Sequence, residues 1–382
     1  MSETSKLNEK KLQRCGRFVA VCSLFLLGGA FAQPTQDVPY KVEVVAKDLR
    51  VVWSIVFTSP KRMLFTERPG RVRVMENGQL QEAPLLTLED IDATGKLGAM
   101  GMVLHPRYSR NHWLYLAYSY KTDAGPKVRV VRFKDNQKEL TDRTVIIENI
   151  PAFTNHAGCR LRFGPDGKLY ITTGDANQPD LAQRLDSLAG KVLRLDENGK
   201  VPKDNPFVNQ PNARPEIWSY GHRNSQGLDF QPGTKTLFES EHGPTGGDEI
   251  NIIEKGKNYG WPTVHHEQSN PAMVSPLTFY GLPSPAPGSS IFYRGNAFPQ
   301  FKNNLLVGCL RGECILRFRL DGSKIVSQER LLEKQYGRIR EVAEAPDGSI
   351  YFTTSQFDPP EGSGRPEYDQ ILRLVPNRST RP

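Results

Sequence analysis

No apolar run in this 382-residue chain is long enough to cross a bilayer. The most hydrophobic stretch, Phe18 to Leu27, has ten residues, against the ~20 that a spanning helix needs. Long amphipathic helical periodicity is missing as well, which excludes a helical bundle. Lysine and arginine exceed aspartate and glutamate by 50 to 42, but the charges are interspersed. There is no basic stripe interleaved with aromatics, so nucleic acid is excluded as a partner. Cysteine is scarce, at five residues. Three follow residue 32, namely Cys159, Cys309 and Cys314, and an odd number leaves at least one outside any intramolecular bridge. Cys309 and Cys314 flank Leu-Arg-Gly-Glu, a tight turn. A bridge there and a pair of reduced thiols both fit the sequence.

The first 32 residues read as a targeting segment. Lys6, Lys10, Lys11, Arg14 and Arg17 precede the apolar core, and Ala30-Phe31-Ala32 offers a small-x-small cleavage site before Gln33. That order is a secretory signal peptide, not a membrane anchor. The expectation is export to the periplasm or outside the cell, cleavage near Ala32, and a mature domain over 33–382 without stable membrane insertion. The segment carries five basic and two acidic residues, so its removal lowers the net charge from +8 to +5.

Glycine (33) and proline (29) are abundant, as a fold with many tight turns requires. One phrase recurs six times: a proline, a few turn-forming residues, then a hydrophobic run. The prolines are Pro60, Pro106, Pro165, Pro232, Pro299 and Pro346, spaced by 46, 59, 67, 67 and 47 residues. Each phrase reads as strand, turn, strand. The spacing suits one four-stranded blade plus loops. The fold class expected is therefore all-β, a six-bladed β-propeller of four-stranded antiparallel blades around a central channel. Residues 40–58 alternate apolar and polar positions and begin the first blade. One terminal strand completes the blade formed by the other end. Residues 175–190 and 201–216 read as long loops on one face, and 263–290 as the longest excursion.

Four clusters could carry chemistry. Asn155-His156-Ala157-Gly158 leaves an imidazole among small residues, where it can accept a proton; Asp175 could orient it. Arg223-Asn224 offers a planar fork of donors and an amide. Glu241 to Asn251 and Lys257 to Pro262 contain glycines and prolines that let carbonyls converge beside carboxylates, a donor set suited to calcium, although the spacing is not that of an EF-hand. Arg311, and Arg338 with Arg340 on one strand face, would need an anion between them.

In this order the phrases NHxG..RL.FGPDGKLY, GHRNxQGL, E.GPxGGDEIN...KGKNYGWP and RIRE.....DG resemble the soluble quinoprotein glucose/sorbosone dehydrogenase family, and within it the periplasmic aldose sugar dehydrogenases. The resemblance covers roughly residues 40–375. It implies a six-bladed propeller that binds pyrroloquinoline quinone and calcium and oxidises aldoses at C1 to lactones, with electrons passed to an external quinone or cytochrome. His156 falls on the family's catalytic base. Arg223, Asn224, Arg338 and Arg340 fall on cofactor contacts, and Arg311 replaces a lysine there. Gly243 and Pro244 fall on carbonyl ligands of the cofactor calcium, and Glu249 and Tyr259 on a second, structural calcium. Lys96 stands where many relatives have a glutamine that meets the cofactor. A monomer or homodimer is expected. A metal-dependent propeller hydrolase of the lactonase type and a non-catalytic binding propeller are the competing expectations.

Overall fold

The computed structural model describes residues 40–356 and 369–377. The leader and cleavage site expected over 1–32 lie outside the described residues. Among the described residues no helix is long and apolar enough to cross a membrane.

Six antiparallel sheets follow one another along the chain. Blade 1 is Val52–Ser59, Arg62–Glu67 and Arg71–Glu76, with two short strands, Gln79–Leu80 and Leu86–Thr87, sharing its outer edge. Blade 2 is Ala99–Leu104, Trp113–Thr122, Gly125–Asp135 and Leu140–Pro151. Blade 3 is Gly158–Phe163, Leu169–Thr173, Lys191–Leu195 and Ile217–Tyr220. Blade 4 is Ser225–Phe230, Leu237–Glu241, Asp248–Ile253 and Thr278–Tyr280. Blade 5 is Pro287–Phe292, Leu305–Cys309, Cys314–Asp321 and Lys324–Leu331. Blade 6 is Ile339–Glu344, Ile350–Thr354 and Ile371–Pro376, and its outer strand is Tyr40–Ala46 from the other end of the chain. The first strand of each blade packs on the first strand of both neighbours, so the ring closes.

All six proline phrases fall between the first and second strands of their blades. The Gly164–Lys168 turn shows why. The Gly167 N–H donates to the Gly164 carbonyl at 2.9 Å, the Asp166 carboxylate accepts from the Lys168 N–H at 3.0 Å, and Gly167 takes a φ of +72°, which a side chain would resist.

Blades stack face to face, so inner strands are buried on both faces. Leu169–Thr173 and Lys191–Leu195 are buried throughout, whereas outer strands such as Lys324–Leu331 are mostly exposed. Apolar cores lie between neighbouring blades.

Three expectations need correction. Residues 40–58 do not form one blade start: 40–46 closes blade 6 and 52–59 opens blade 1. Residues 175–190 and 201–216 are not on one face. The first joins strands two and three of blade 3 and the second joins strands three and four, which antiparallel alternation places at opposite ends. The 263–290 excursion is also interrupted, by Thr278–Tyr280 and the start of Pro287–Phe292.

Candidate active site

A cavity of about 270 Å³ lies at the end of the channel where the six innermost strands begin. It is lined by residues of every blade or the loop leading into it, among them Trp53, Lys96, His156, Asn224, Ala286 and Arg340. Six cations face it: Arg68, Lys96, Arg223, Arg311, Arg338 and Arg340, with Asp248 as the acidic residue. In a recess walled by protein, such a ring of one sign focuses its field on an anion.

His156 stands just before the first strand of blade 3, with a φ of +54°. This left-handed backbone is uncommon for a residue with a side chain. Its Nδ1 lies 2.8 Å from Asp175 Oδ1. The Asn177 N–H donates to the same oxygen at 2.8 Å, and the indole Nε1–H of Trp261 donates to Oδ2 at 2.8 Å. Both donors fix a fully buried carboxylate, which in turn holds the proton on Nδ1 and leaves Nε2 as an acceptor. Gly174 makes the close packing possible, since a Cβ there would sit 1.9 Å from the His156 carbonyl oxygen.

Arg223 and Asn224 lead into blade 4. The Arg223 N–H donates to Glu241 Oε2 at 2.7 Å, and its Nη1 donates to the His242 carbonyl at 2.9 Å. Its guanidinium lies 5.2 Å from the Trp261 ring. Burial lowers its affinity for the proton, while Asp175, Glu241 and Asp248 oppose that shift. Burial, with Arg223, Lys96 and Arg340 nearby, also holds the His242 imidazole well below its ordinary pKa, so it stays neutral. Arg338 and Arg340 open blade 6, and Arg340 Nε donates to Ser355 Oγ at 3.3 Å. Arg311 sits on the turn between the second and third strands of blade 5.

The Gly243–Gly247 loop is pinned from below. Asp248 accepts from the Gly243 N–H at 3.1 Å, from the Ala286 N–H at 2.7 Å and from the Ser284 hydroxyl. A Cβ on Gly243 would lie 1.9 Å from the Gly247 carbonyl oxygen and 2.6 Å from that of Gly246. Backbone oxygens are thus crowded into a cradle that only glycine permits.

Behind this loop a small recess is lined by Gly243, Pro244, Glu249 and Tyr259. Here three buried carboxylates converge. Asn251 Nδ2 donates to Glu239 Oε2, Glu241 Oε1 and Glu249 Oε2 at 3.1, 3.2 and 3.2 Å. The nearest ionisable nitrogen, His222 Nδ1, is 3.7 Å from Glu241 Oε1. Burial and mutual repulsion push Glu249 up to about 9 and Glu239 well above the carboxylate range. Glu239 Oε1, Asn251 Oδ1 and His222 Nδ1 are buried without a hydrogen-bond partner. The ligand atoms of His222, Glu239 and Glu241 lie within 4.8 Å of one another, and a cation among them would satisfy His222 Nδ1 and Glu239. The phenol of Tyr259 is committed elsewhere, donating to the Ile252 carbonyl at 2.5 Å and accepting from the Glu254 N–H at 2.8 Å. Only the Tyr259 backbone is left to meet a metal.

The structure therefore gathers His156, Lys96, Arg223, Asn224, Gly243, Arg311, Arg338 and Arg340 around one cavity. It sets Pro244, Glu249 and Tyr259 around the adjacent recess. Sequence reasoning missed Arg68, the hydrogen bond from Trp261, and the joining of His222, Glu239 and Glu241. The pair Glu239-Ser240-Glu241, whose alternate residues share a strand face, was the available signal for the last.

A family model for glucose/sorbosone dehydrogenases matches residues 49–360. The chain is 37% identical over 333 residues to the aldose sugar dehydrogenase YliI of Escherichia coli, covering 82% of this chain and 90% of that one. It is 28% identical over 352 residues to quinoprotein glucose dehydrogenase B of Acinetobacter calcoaceticus, covering 68% and 73%. Among solved structures, the PQQ-bound aldose sugar dehydrogenase of Streptomyces coelicolor superposes with a TM-score of 0.78 at 29% identity, covering 88% of this chain and 98% of that one.

Proposed function

The chain belongs to the glucose/sorbosone dehydrogenase family, and from that premise we propose that it is a quinoprotein aldose dehydrogenase, using pyrroloquinoline quinone and calcium to oxidise the anomeric carbon of an aldose to a lactone. The observation that carries this reading is the juxtaposition of an oriented imidazole and a ring of cations around one cavity.

The donor set fits the cofactor. A planar tricarboxylate wants fixed guanidinium forks and an ammonium, and Arg223, Arg311, Arg338, Arg340 and Lys96 supply them, with Asn224 as an amide partner. Backbone oxygens of Gly243 and Pro244 would hold the cofactor's calcium, and Glu249 with the Tyr259 carbonyl a second, structural one. When bound, the quinone supplies a two-electron acceptor for the C1 hydride and the calcium polarises it.

The protein's own part begins at His156. Its Nε2 takes the proton of the anomeric hydroxyl, while Asp175 keeps Nδ1 protonated and stabilises the imidazolium that forms. Arg311 and the neighbouring arginines stabilise negative charge as it develops in the cavity. The Trp261 indole N–H holds the far oxygen of Asp175. A lactonase-type hydrolase would need several side-chain ligands meeting in the channel. The carboxylate there, Asp248, spends both oxygens on Gly243, Ser284 and Ala286. The segment 1–32 would direct export, and electrons would leave to a quinone or cytochrome outside the cytoplasm.

The test is dye reduction by the protein loaded with quinone and calcium, over a panel of aldoses. Sugar-dependent reduction that stops with a calcium chelator is expected. His156→Ala should lower turnover by about 10²–10⁴-fold with quinone binding retained; undiminished turnover would remove His156 from the base role.

A further inference from the structure

Two cysteines lie outside the chemistry above, yet they bracket one of its residues. Cys309 ends the second strand of blade 5 and Cys314 begins the third. They are directly opposed Cα partners in the ladder, and the structure holds both as buried free thiols. Directly opposed antiparallel residues have Cα atoms about 4.5–5.5 Å apart, inside the range of about 4.4–6.8 Å that a disulfide accepts. Between them runs Leu310-Arg311-Gly312-Glu313, and Leu310 and Arg311 line the central cavity.

We propose that Cys309 and Cys314 form a disulfide that closes the base of the Arg311 turn and fixes the direction in which Arg311 enters the cavity. Formation is a thiol–disulfide exchange. The two thiols give up two protons and two electrons, one S–S bond forms, and a disulfide-bearing oxidant of the exported compartment is reduced to its dithiol. Both cysteines are fully buried in the core shared by blades 4 and 5, so the bond closes while the hairpin folds and is then shielded. Cys159 does not compete. It lies in a different core, with blades 2 and 3, away from both partners. The odd cysteine count thus resolves into one bridge and one free thiol.

The turn is where the bridge acts. Its amides Leu310, Arg311 and Gly312 reach only Ala286 and Pro285, at 2.9, 3.1 and 2.9 Å, and Glu313 is held at a φ of +46°. A bridge enclosing so few residues does little for the stability of the whole chain. Its effect is local, on the turn that carries Arg311.

The bridge itself does not depend on the dehydrogenase reading; the value of a fixed Arg311 does. The experiment uses the exported protein, denatured and titrated with a thiol reagent before and after reduction. One reactive thiol before and three after are expected from the mature chain, with the peptide spanning 309–314 two hydrogens lighter before reduction. Three thiols before reduction would overturn the proposal. A second measurement compares amide hydrogen exchange in the native protein and in the double variant Cys309→Ala/Cys314→Ala. Exchange at 310–313 should quicken at least tenfold in the variant while the other blades keep their protection, and quinone affinity should fall several-fold. Unchanged exchange at 310–313 would remove the clamping role. If neither form binds quinone while the thiol count and exchange behave as stated, the cofactor assignment fails and the bridge stands.

Discussion

At the level of single residues, the site depends on which nitrogen of His156 holds the proton. Asp175 receives Nδ1–H from His156, and two further N–H donors, Asn177 and Trp261, occupy it. In Asp175→Asn a single oxygen cannot accept from His156, Asn177 and Trp261 together: turned towards Trp261, the amide sets NH₂ against His156 and drives the proton to Nε2, and in either orientation the charge that stabilises the imidazolium is lost. Turnover should fall by about 10²–10⁴-fold with quinone affinity unchanged, read by steady-state kinetics beside a binding titration; loss of affinity equal to the loss of rate would mean that Asp175 shapes the cofactor site instead. Gly174 tests the same unit from the backbone. Its φ is ordinary, so alanine brings no conformational penalty, only a Cβ 1.9 Å from the His156 carbonyl. Gly174→Ala should cost about 1–3 kcal/mol of stability, measured by denaturant unfolding, and displace the imidazole. His156 was visible in the sequence because small residues surround it. Trp261 was visible as a residue, but its bond to Asp175 spans 86 positions, and local spacing carries no sign of that.

At the level of elements, a buried lysine ties the active-site loop to its blade. Lys191, on the third strand of blade 3, donates from Nζ to the carbonyls of Leu181, Ala182 and Ala189 at 2.8, 3.0 and 2.6 Å. The loop so held passes Gln183 to the Trp261 carbonyl at 2.6 Å and to Asn258 at 3.0 Å, and Trp261 in turn holds Asp175. Lys191→Met leaves the Ala189 carbonyl without a donor, while the Arg184 and Gly221 N–H groups still reach Leu181 and Ala182, and should cost about 1–3 kcal/mol. The pH dependence has a definite sign. Burial draws Lys191 down to about 7, whereas the unfolded chain keeps its proton into the ordinary lysine range of about 10.4. Between those values the unfolded state binds more protons, so the wild type gains stability as pH rises. The stability gap between wild type and Lys191→Met should therefore widen from pH 7 to pH 10 in urea unfolding; a gap that narrows would show that the carbonyl cage holds the ammonium charged. Little of this was legible beforehand. A lysine heading an apolar strand reads as a surface residue, and its burial follows from a loop folding over it.

For the molecule as a whole, the question is what keeps six blades in one closed ring. The recurrent proline phrases revealed the number of blades because each sits at the same turn, and local turn chemistry repeats wherever the architecture does. The closing strand was legible only as an alternating segment, since what assigns Tyr40–Ala46 to blade 6 is pairing with Ile371–Pro376 about 330 residues away. That pairing joins the two ends of the ring and covers the edge of blade 6. Tyr40 and Val42 pack on the core of blades 5 and 6, and Ala46 and Val45 on the core between blades 6 and 1. The ion pair of Glu43 with Arg373 is partly exposed, and exposed pairs are worth ~0–1 kcal/mol, so Glu43→Ala should be nearly silent. Deleting residues 40–46 is a different matter. It removes several half-buried apolar side chains, at about 1–2 kcal/mol each, and leaves Ile371–Pro376 as an open edge that can recruit another chain. The melting temperature in calorimetry should fall by about 5–10 °C, and size-exclusion chromatography should show association. The cavity is assembled from all six blades, so quinone affinity should fall with the strand although none of its residues touches the site. A truncated chain that melts and binds like the full one would mean that packing between neighbouring blades alone holds the ring, and that the cations converge without closure.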